Sequence, residues 1–306
     1  MTGVMTHKTL LTLNGKSAAR ADVREALMSL QQDLDIDVWV PWNGAQFMQI
    51  LERAVADGVT RVVGAGGDGT ANAVCNALMQ FPRDAGLSMG LVPLGTANDF
   101  ARAFGDAGDD LLHSIRVAAT EDATPIDVGV INGEHFVNVA SGGFGAMITS
   151  TTPADVKRRL GGLAYTLSGL TRLSELHPTK ARISVAGDDS FDAEITALIV
   201  GNSRFAGGGF DVAPLADVTD GLLDLALLSK ESFQGGAGSM LDLVGDDDPT
   251  EAFLQRYQCS SAIIETETPF HMNLDGEPMV ADRFEVSVKP QALQFVLPRK
   301  SVLLNK

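Results

Sequence analysis

The stretch RVVGAGGDGTANAV, residues 61–74, decides the fold because it joins an apolar, strand-like run to a helical pattern through four glycines. Glycines after a strand let backbone N–H groups turn toward an anion, and the helix that follows adds its positive end. Asp68 in this turn would be repelled by a bare phosphate, but it fits if a divalent cation or a transferable proton lies between them. An Asp-Gly turn also occurs in proteins that bind no phosphate, so the stretch alone leaves both interpretations open.

Two other phosphate-binding motifs fail here. Gly64, Gly66 and Gly69 spell G-x-G-x-x-G, the dinucleotide fingerprint, which requires an acidic residue at the end of the next strand. Asp84 has roughly the right spacing, but it comes before that strand. The P-loop motif is absent as well, since Leu10 stands where its first glycine is required.

The pattern around this stretch predicts two domains. Through residue 125, apolar runs of strand length alternate with helical periodicities, which predicts a Rossmann-like α/β domain with a parallel sheet covered on both faces. From there the chain becomes a series of strands, including a hairpin at Asn132-Gly133, with helical pieces near 155–175 and 231–256. We therefore expect a β-rich, sandwich-like domain over 126–295.

Composition limits the classes of partner. The formal net charge of −16 argues against a nucleic-acid partner, because such binding needs a net basic footprint. The two cysteines show no zinc or disulfide spacing, so a reducing cytoplasm fits best. No run of about 18 apolar residues predicts a bilayer-spanning helix, so a lipid substrate would be met by transient contact with the inner membrane surface.

A second motif, PLGTANDFAR at 93–102, also follows a strand and opens a helix, with Thr96 and Asn98 as candidate caps. The pair GGDGT and GTANDFA resembles the diacylglycerol kinase catalytic domain. GGDGT alone also occurs in NAD kinases and 6-phosphofructokinases, and GTANDFA distinguishes the lipid kinases from them. Further stretches are similar to the YegS-like bacterial lipid kinases: LTLNGKS at 11–17, NVASGGFGAMITSTTP at 138–153, GNSRFAGGGFDVAPLADVTDGLLDL at 201–225 and NLDGEP at 273–278.

The resemblance implies an activity and a nucleotide site. It implies a 6-phosphofructokinase/NAD-kinase-like first domain over 1–125, which the C-terminal segment 296–306 can rejoin, and ATP bound in the cleft between the domains. The γ-phosphate would pass to a hydroxyl of phosphatidylglycerol, diacylglycerol or a similar lipid, as a step of phospholipid metabolism. The implied nucleotide-binding residues are Gly67, Asp68, Gly69, Thr70, Ala71, Asn72 and Thr96.

The resemblance also assigns carboxylates and metals. Mg²⁺ would bridge the phosphates through Asp68, and Glu277 or Asp275 would act as the general base, with Glu277 favoured. Asp217, Asp220 and the backbone of Leu222 would form a structural site for Mg²⁺ or Ca²⁺. Without the resemblance, LDGEP and the two aspartates are equally typical of polar turns.

Two departures from the family pattern keep alternatives open. Ala73 follows Asn72 where relatives commonly have Glu, and Pro41 stands where a threonine often lies near the adenine. The alternatives are a small-molecule kinase of the NAD or sugar type and a non-catalytic nucleotide- or lipid-binding regulator. The resemblance also allows a homodimer.

Two further features bear on surfaces. Residues 155–173 combine basic residues, Lys157, Arg158 and Arg159, with leucines at helical spacing, which suits either an ordinary core-covering helix or one that lies on a membrane. Trp39 and Trp42 show no catalytic or metal-binding spacing, and we predict that they are structural.

Overall fold

The computed structural model describes residues 7–105, 110–143, 178–186, 190–229 and 254–297. The chain divides into two compact units. The first unit contains residues 1–128 and 290–306, and the second contains residues 129–289. The chain therefore leaves the first unit once and returns to it near its end.

The first unit is built on a parallel sheet of four strands in the order β4-β3-β1-β2. The last residues of the final strand extend this sheet, with Gln294 beside Ser88 and Phe295 beside Met89 in parallel register. Every residue of β1 and β3 is buried, as expected for strands covered on both faces. The strands are β1 Thr9–Leu13, β2 Ile36–Trp39, β3 Arg61–Gly66 and β4 Ser88–Pro93.

Helices connect these strands and pack on the sheet. The apolar sides of α2 and α6, including Leu27 and Ile115, pack with Leu11 and Val63 of the sheet in one buried cluster. The parallel α/β architecture predicted from the sequence is confirmed. The helices are α1 Gly15–Ala18, α2 Ala21–Leu30, α3 Gly44–Ala56, α4 Asp68–Leu78, α5 Asp99–Arg102 and α6 Leu111–Thr120.

A fully buried arginine at the start of β3 joins three elements of this unit. The Arg61 guanidinium donates to Ser88 Oγ at 2.7 Å, to the Ala118 carbonyl oxygen at 2.8 Å and to the Glu121 carbonyl oxygen at 3.0 Å. Burial lowers the pKa of Arg61 to about 10, and Asp122 opposes the shift. The side chain thus satisfies carbonyl groups at the end of α6 that have no intrahelical partner.

The described residues of the second unit form mainly antiparallel sheet, in the order β13-β12-β9-β7-β14-β15, with β8 paired to β9 and β14. The predicted hairpin at Asn132-Gly133 is confirmed, since both residues have positive φ and Ile131 pairs with Glu134. Residues 254–256, predicted as part of a helical piece, instead begin strand β13 because they complete a ladder with β12.

The strands of this unit enclose one core of buried side chains, among them Ile183, Leu198, Leu225 and Phe284. The sandwich-like class predicted for this part of the chain is confirmed. The remaining strands, of which β5 and β15 run from one unit into the other, are β5 Ala123–Ile131, β6 Glu134–Phe136, β7 Val139–Gly143, β8 Thr179–Val185, β9 Phe191–Gly201, β10 Phe205–Ala206, β11 Phe210–Asp211, β12 Leu223–Ser229, β13 Leu254–Cys259, β14 Ser261–Leu274 and β15 Glu277–Val296.

The helices in the described parts of the chain are all too short or too polar to cross a membrane. The amphipathic segment predicted at 155–173 lies outside the described residues.

Candidate functional site

The two glycine-rich loops leave the parallel sheet side by side. Strands β3 and β4 are neighbours, and their last residues, Gly66 and Pro93, are paired in register. The Leu94 N–H donates to the Gly66 carbonyl oxygen at 2.8 Å, which extends the ladder into the loops. Open α/β sheets bind ligands beyond the carboxyl ends of their strands, and this is the edge where both motifs lie.

The loops touch through backbone atoms. A Cβ placed on Gly95 would lie 2.5 Å from the Gly67 Cα and 2.6 Å from Asn98 Oδ1. A Cβ on Gly67 would lie 3.1 Å from the Gly95 Cα. The sequence prediction included Gly67 but not Gly95, because the need for glycine at 95 comes from the neighbouring loop and not from its own motif.

Asn98 closes the second loop on itself. Its Oδ1 accepts a hydrogen bond from the Gly95 N–H at 2.9 Å, and its Nδ2 donates to the Gly95 carbonyl oxygen at 3.1 Å. Its backbone is left-handed, with φ 51°, a conformation that Asn tolerates better than most residues. Asn98 does occupy the N-cap position of α5, as predicted. The expected capping hydrogen bond is absent, because the Asn98 side chain makes none to that helix. Thr96, at the tip of this loop, is exposed.

Asp68 links the two loops. It is the first residue of α4, and its Oδ1 accepts a hydrogen bond from the Phe100 N–H at 3.0 Å. Phe100 is the second residue of α5, so the carboxylate satisfies a first-turn N–H that has no acceptor within that helix. Asp68 is half-buried, and this contact holds its side chain between the starts of two helices.

The other residues of the predicted nucleotide site fall into two groups. Gly69 is exposed and Thr70 is half-buried beside Gly66, where a Cβ would meet Thr70 Oγ1 at 2.1 Å. Ala71 and Asn72 are buried, and Asn72 Oδ1 accepts from Asn76 Nδ2 at 3.1 Å. Only the first group thus presents atoms at the open edge of the sheet, while Ala71 and Asn72 support the helix from inside.

Ala73, where the family pattern commonly has Glu, is exposed on α4. The missing carboxylate therefore leaves no gap in the core. The departure removes a negative charge from the exposed surface of α4.

In the second unit, the turn between β14 and β15 holds both candidate bases. Leu274 pairs with Glu277, and the two residues between them, Asp275 and Gly276, both have positive φ. Asp-Gly is the sequence that such a two-residue hairpin turn favours. Gly276 N–H also donates to Asn273 Oδ1 at 2.7 Å, which ties the turn to its own strand.

The structure gives the two carboxylates different environments. Asp275 is 8% exposed, and its oxygens accept from three backbone N–H groups: Val137 at 2.7 Å, Asn138 at 3.0 Å and Val139 at 3.0 Å. Glu277 is exposed. Three donors engage Asp275 in holding residues 137–139, whereas the carboxylate of Glu277 stands at the surface.

The predicted metal loop is closed by its own hydrogen bonds. Asp217 Oδ1 accepts from the Thr219 N–H at 3.0 Å and from Thr219 Oγ1 at 2.7 Å. Asp220 Oδ1 accepts from the Leu222 N–H at 2.9 Å, so Leu222 can offer a cation only its carbonyl oxygen. Within the described ranges, no three His, Cys, Asp or Glu side chains gather as a metal site. A cation in this loop would need backbone oxygens in addition to the two carboxylates.

Comparisons with known proteins agree over nearly the whole chain. The family profile "Diacylglycerol kinase catalytic domain" matches residues 8–131, and "YegS C-terminal NAD kinase beta sandwich-like domain" matches residues 138–297. A protein of Pseudomonas aeruginosa named "Probable lipid kinase YegS-like" is 40% identical over 301 residues, covering 98% of this chain and 97% of that protein. A protein of the same name from Chromohalobacter salexigens is 36% identical over 298 residues, covering 97% and 95%.

Solved structures show the same fold at lower identity. A diacylglycerol kinase from Bacillus anthracis superposes with a TM-score of 0.76 at 22% identity, covering 97% of this chain and 99% of that one. An NAD kinase from Archaeoglobus fulgidus in complex with ATP gives a TM-score of 0.53 at 11% identity, covering 96% and 95%. These likenesses place the chain in the fold shared by the two kinase groups.

Proposed function

Since the chain belongs to the YegS-like family with a diacylglycerol kinase catalytic domain, we propose that it is an ATP-dependent lipid kinase. It would transfer the γ-phosphate of ATP to a hydroxyl group of a lipid such as phosphatidylglycerol or diacylglycerol. The observation that carries the proposal is the backbone contact between Gly67 and Gly95. That contact joins the GGDGT loop, which would bind the phosphates, to the GTANDFA loop, which resembles that of lipid kinases.

The first turn of α4 is the proposed seat of the phosphates. The N–H groups of Asp68 and Gly69 have no acceptor within the helix, and the helix dipole favours negative charge at this end. Gly69 has open space at its Cβ position, so a phosphate can approach the backbone closely. The second loop, closed by Asn98, would bring Thr96 to the same surface.

Asp68 supports the proposal that Mg²⁺ accompanies the phosphates. A carboxylate at the positive end of an anion-binding helix fits bound phosphates when a cation lies between them, and the hydrogen bond from the Phe100 N–H holds the Asp68 carboxylate at the start of α4. When bound, the metal supplies positive charge that offsets the charge of the transferring group. Asp68 would hold the metal, and the helix terminus would hold the phosphate oxygens.

Glu277 is the proposed general base. The proton of the lipid hydroxyl would pass to the Glu277 carboxylate as the hydroxyl oxygen bonds to the γ-phosphorus and the bond to the ADP oxygen breaks. Asp275 would position this base, because its three hydrogen bonds fix the turn that carries Glu277. An exposed carboxylate can accept a proton from a bound substrate, whereas one with three donors is already engaged.

The loop at Asp217 and Asp220 is proposed to bind a structural Mg²⁺ or Ca²⁺. Its donors fit such a hard cation, because carboxylate and carbonyl oxygens are the ligands these ions prefer. Asp217, Asp220 and the Leu222 carbonyl oxygen would hold it. This site would stabilise the loop before β12 and take no part in phosphoryl transfer.

The remaining partners follow from charge and chemistry. We propose a cytoplasmic enzyme that contacts the inner membrane surface transiently, binds no nucleic acid and is able to form a homodimer. Its net charge of −16 disfavours prolonged residence on an anionic bilayer.

The test uses γ-labelled ATP, Mg²⁺ and mixed lipids in detergent micelles, with label counted in the organic phase. We expect label with the wild-type protein, and a loss of about 10²–10⁴-fold in Glu277→Gln, the range typical of a removed general base. Asp68→Ala should abolish transfer. The matched control is Glu267→Gln, an exposed carboxylate of the same unit, which should keep full activity.

The alternatives predict other outcomes. Label in a soluble product and not in the organic phase would favour a small-molecule kinase. ATP binding without transfer to any acceptor would favour a non-catalytic regulator. Unchanged activity in Glu277→Gln would overturn the assignment of the base.

A further inference from the structure

Trp42 is the most exposed of the large hydrophobic side chains in the described chain, with 89% of its surface open to solvent. Trp39 is 50% exposed in the same segment. The prediction that both tryptophans are structural is therefore wrong for Trp42, because an indole this exposed adds little to packing. Val40 is exposed as well, at 41%, so the three residues form an exposed apolar patch, and such patches usually mark binding sites.

The position of Trp42 relative to the parallel sheet suggests what it binds. It follows strand β2, whose carboxyl end lies at the same edge as the glycine loops. In the strand order β3-β1-β2, the end of β2 is two strand spacings from the end of β3, or roughly 10 Å. A nucleoside triphosphate whose phosphates rest on the first turn of α4 extends about this far, which brings its base toward Trp42.

Two glycines near this path have free space at their Cβ positions. The loop after β1 starts with Asn14 and Gly15, and a Cβ on Gly15 would meet no atom within 4 Å. Gly69, at the phosphate end, is equally uncrowded. A ribose can therefore cross the carboxyl end of β1 without displacing a side chain at either glycine.

The backbone that carries the indole is held in place. The Trp42 N–H donates to Gln46 Oε1 at 2.6 Å, and the Gln46 N–H donates to Asn43 Oδ1 at 2.9 Å. These two bonds tie the loop to the first turn of α3. Pro41, which precedes Trp42, has a backbone φ angle that its ring fixes. An aromatic ring on a fixed backbone loses little conformational freedom when a ligand stacks on it.

We propose that the indole of Trp42 stacks on the base of the bound nucleoside triphosphate. This inference rests on the proposed function, and it names the residue that binds the base. Pro41 offers neither a hydroxyl nor an N–H, so recognition by this pair of residues is by stacking rather than by hydrogen bonding. Because any purine presents a ring face, Trp42 should contribute equally to the binding of ATP and GTP.

A membrane is the rival partner, since tryptophans also settle at the headgroup level of bilayers. The charge pattern disfavours it. No Lys or Arg lies between Arg24 and Arg53, whereas Asp33, Asp35 and Asp37 precede the loop. With a net charge of −16 and three aspartates just before it in the sequence, the loop would be repelled by an anionic bilayer.

The chain contains only two tryptophans, so a single substitution isolates the signal. In Trp39→Phe, Trp42 is the sole tryptophan, and its fluorescence should change when ATP or GTP binds. Inorganic tripolyphosphate, which has no base, should compete with ATP without changing the fluorescence. In Trp42→Ala we expect the dissociation constants of ATP and GTP to rise about tenfold and that of tripolyphosphate to stay the same.

Two variants sharpen the experiment. Trp42→Phe should keep most of the affinity, because it retains an aromatic face, and Trp39→Ala should bind ATP as the wild type does. An equal loss of affinity for ATP and tripolyphosphate would show that Trp42 only shapes the loop, and would overturn the inference. So would unchanged ATP affinity in Trp42→Ala.

The remaining outcomes separate this inference from the proposed function. If Trp42→Ala loses activity on lipid vesicles at saturating ATP while KM for ATP is unchanged, Trp42 contacts the membrane and the stacking proposal is wrong. If ATP changes the fluorescence of Trp39→Phe but the wild type phosphorylates no lipid, stacking stands and the lipid kinase proposal fails. If the wild type binds neither ATP nor tripolyphosphate, both fail.

Discussion

The α-carbons of Gly67 and Gly95 approach so closely that the Cβ of an alanine at 95 would lie 2.5 Å from the Gly67 Cα. The two residues belong to different motifs, yet each limits the size of the other. The contact makes the glycine at 95 a requirement of packing between loops, and the separation of backbone atoms is short enough that no side-chain rotation can relieve an added methyl group.

We expect Gly95→Ala to push the two loops apart. The free energy of unfolding should fall by about 1–3 kcal/mol, the usual cost of overpacking, and ATP affinity should fall with it. Urea unfolding and nucleotide titration would measure both. Gly15→Ala is the control, since its Cβ has free space and its stability should remain within about 0.5 kcal/mol of wild type.

The Asp68 carboxylate accepts a hydrogen bond from the Phe100 N–H and is also proposed to hold Mg²⁺. Two substitutions separate the effect of the hydrogen bond from that of the charge. Asp68→Asn keeps an oxygen that can accept from the Phe100 N–H, so the protein should stay nearly as stable while phosphoryl transfer is lost. Asp68→Ala removes the acceptor as well and should cost about 1–2 kcal/mol of stability. Thermal unfolding beside an activity assay tests this. Equal stability of the two variants would show that the bond to Phe100 contributes nothing.

We expect substitution of the two carboxylates in the β14–β15 turn to have different effects: Asp275 should affect stability, and Glu277 should affect turnover. Asp275→Asn places an amide N–H₂ where an oxygen now accepts from backbone N–H groups, and we expect a loss of about 3 kcal/mol. Glu277→Gln changes an exposed side chain and should alter stability by less than about 0.5 kcal/mol while reducing turnover. If Asp275→Asn were as stable as wild type, Asp275 would not hold residues 137–139 as described.

We expect the buried thiol of Cys259 to make the free energy of unfolding decrease at alkaline pH. Burial raises the pKa of this thiol to about 11, and the neighbouring charge of Asp224 adds to the shift. Because the raised pKa favours the thiol in the folded state, its contribution is fully present below the unfolded pKa of 9.0 and is lost as the pH rises toward 11.

The free energy of unfolding should therefore fall by on the order of 2 kcal/mol more in the wild type than in Cys259→Ala between pH 9 and 11. Chemical denaturation at a series of pH values would show the difference in slope. Parallel pH profiles for wild type and Cys259→Ala would contradict the assignment.

Local sequence patterns predicted the features that depend on residues close in the chain. Strand and helix periodicity in residues 9–120 reflects burial of successive residues, and the Asn132-Gly133 turn follows from the positive φ that those residues tolerate. The two glycine-rich loops could be predicted as well, because their glycines lie close together in the sequence. Each of these features is specified within a few positions of the sequence.

The features that could not be predicted from the sequence depend on contacts between residues that are far apart in the chain. Asp275 and Glu277 are two positions apart in one motif, and what separates them is a set of N–H groups about 136 residues earlier in the chain. The exposure of Trp42 could not be read from its neighbours, because burial depends on how the loop leaves the sheet. Backbone approach between residues 28 apart, as at Gly67 and Gly95, likewise leaves no periodic signal.

The return of the chain to its first unit has a consequence for biosynthesis. The edge of β4 is completed by Gln294 and Phe295, which are synthesised about 200 residues later than β4 itself. Until they arrive, the nascent α/β unit carries an unpaired strand edge that can associate with other chains. Completion of this sheet therefore waits until Phe295 has been synthesised, and a protein stopped before residue 290 would be released with that edge still unpaired.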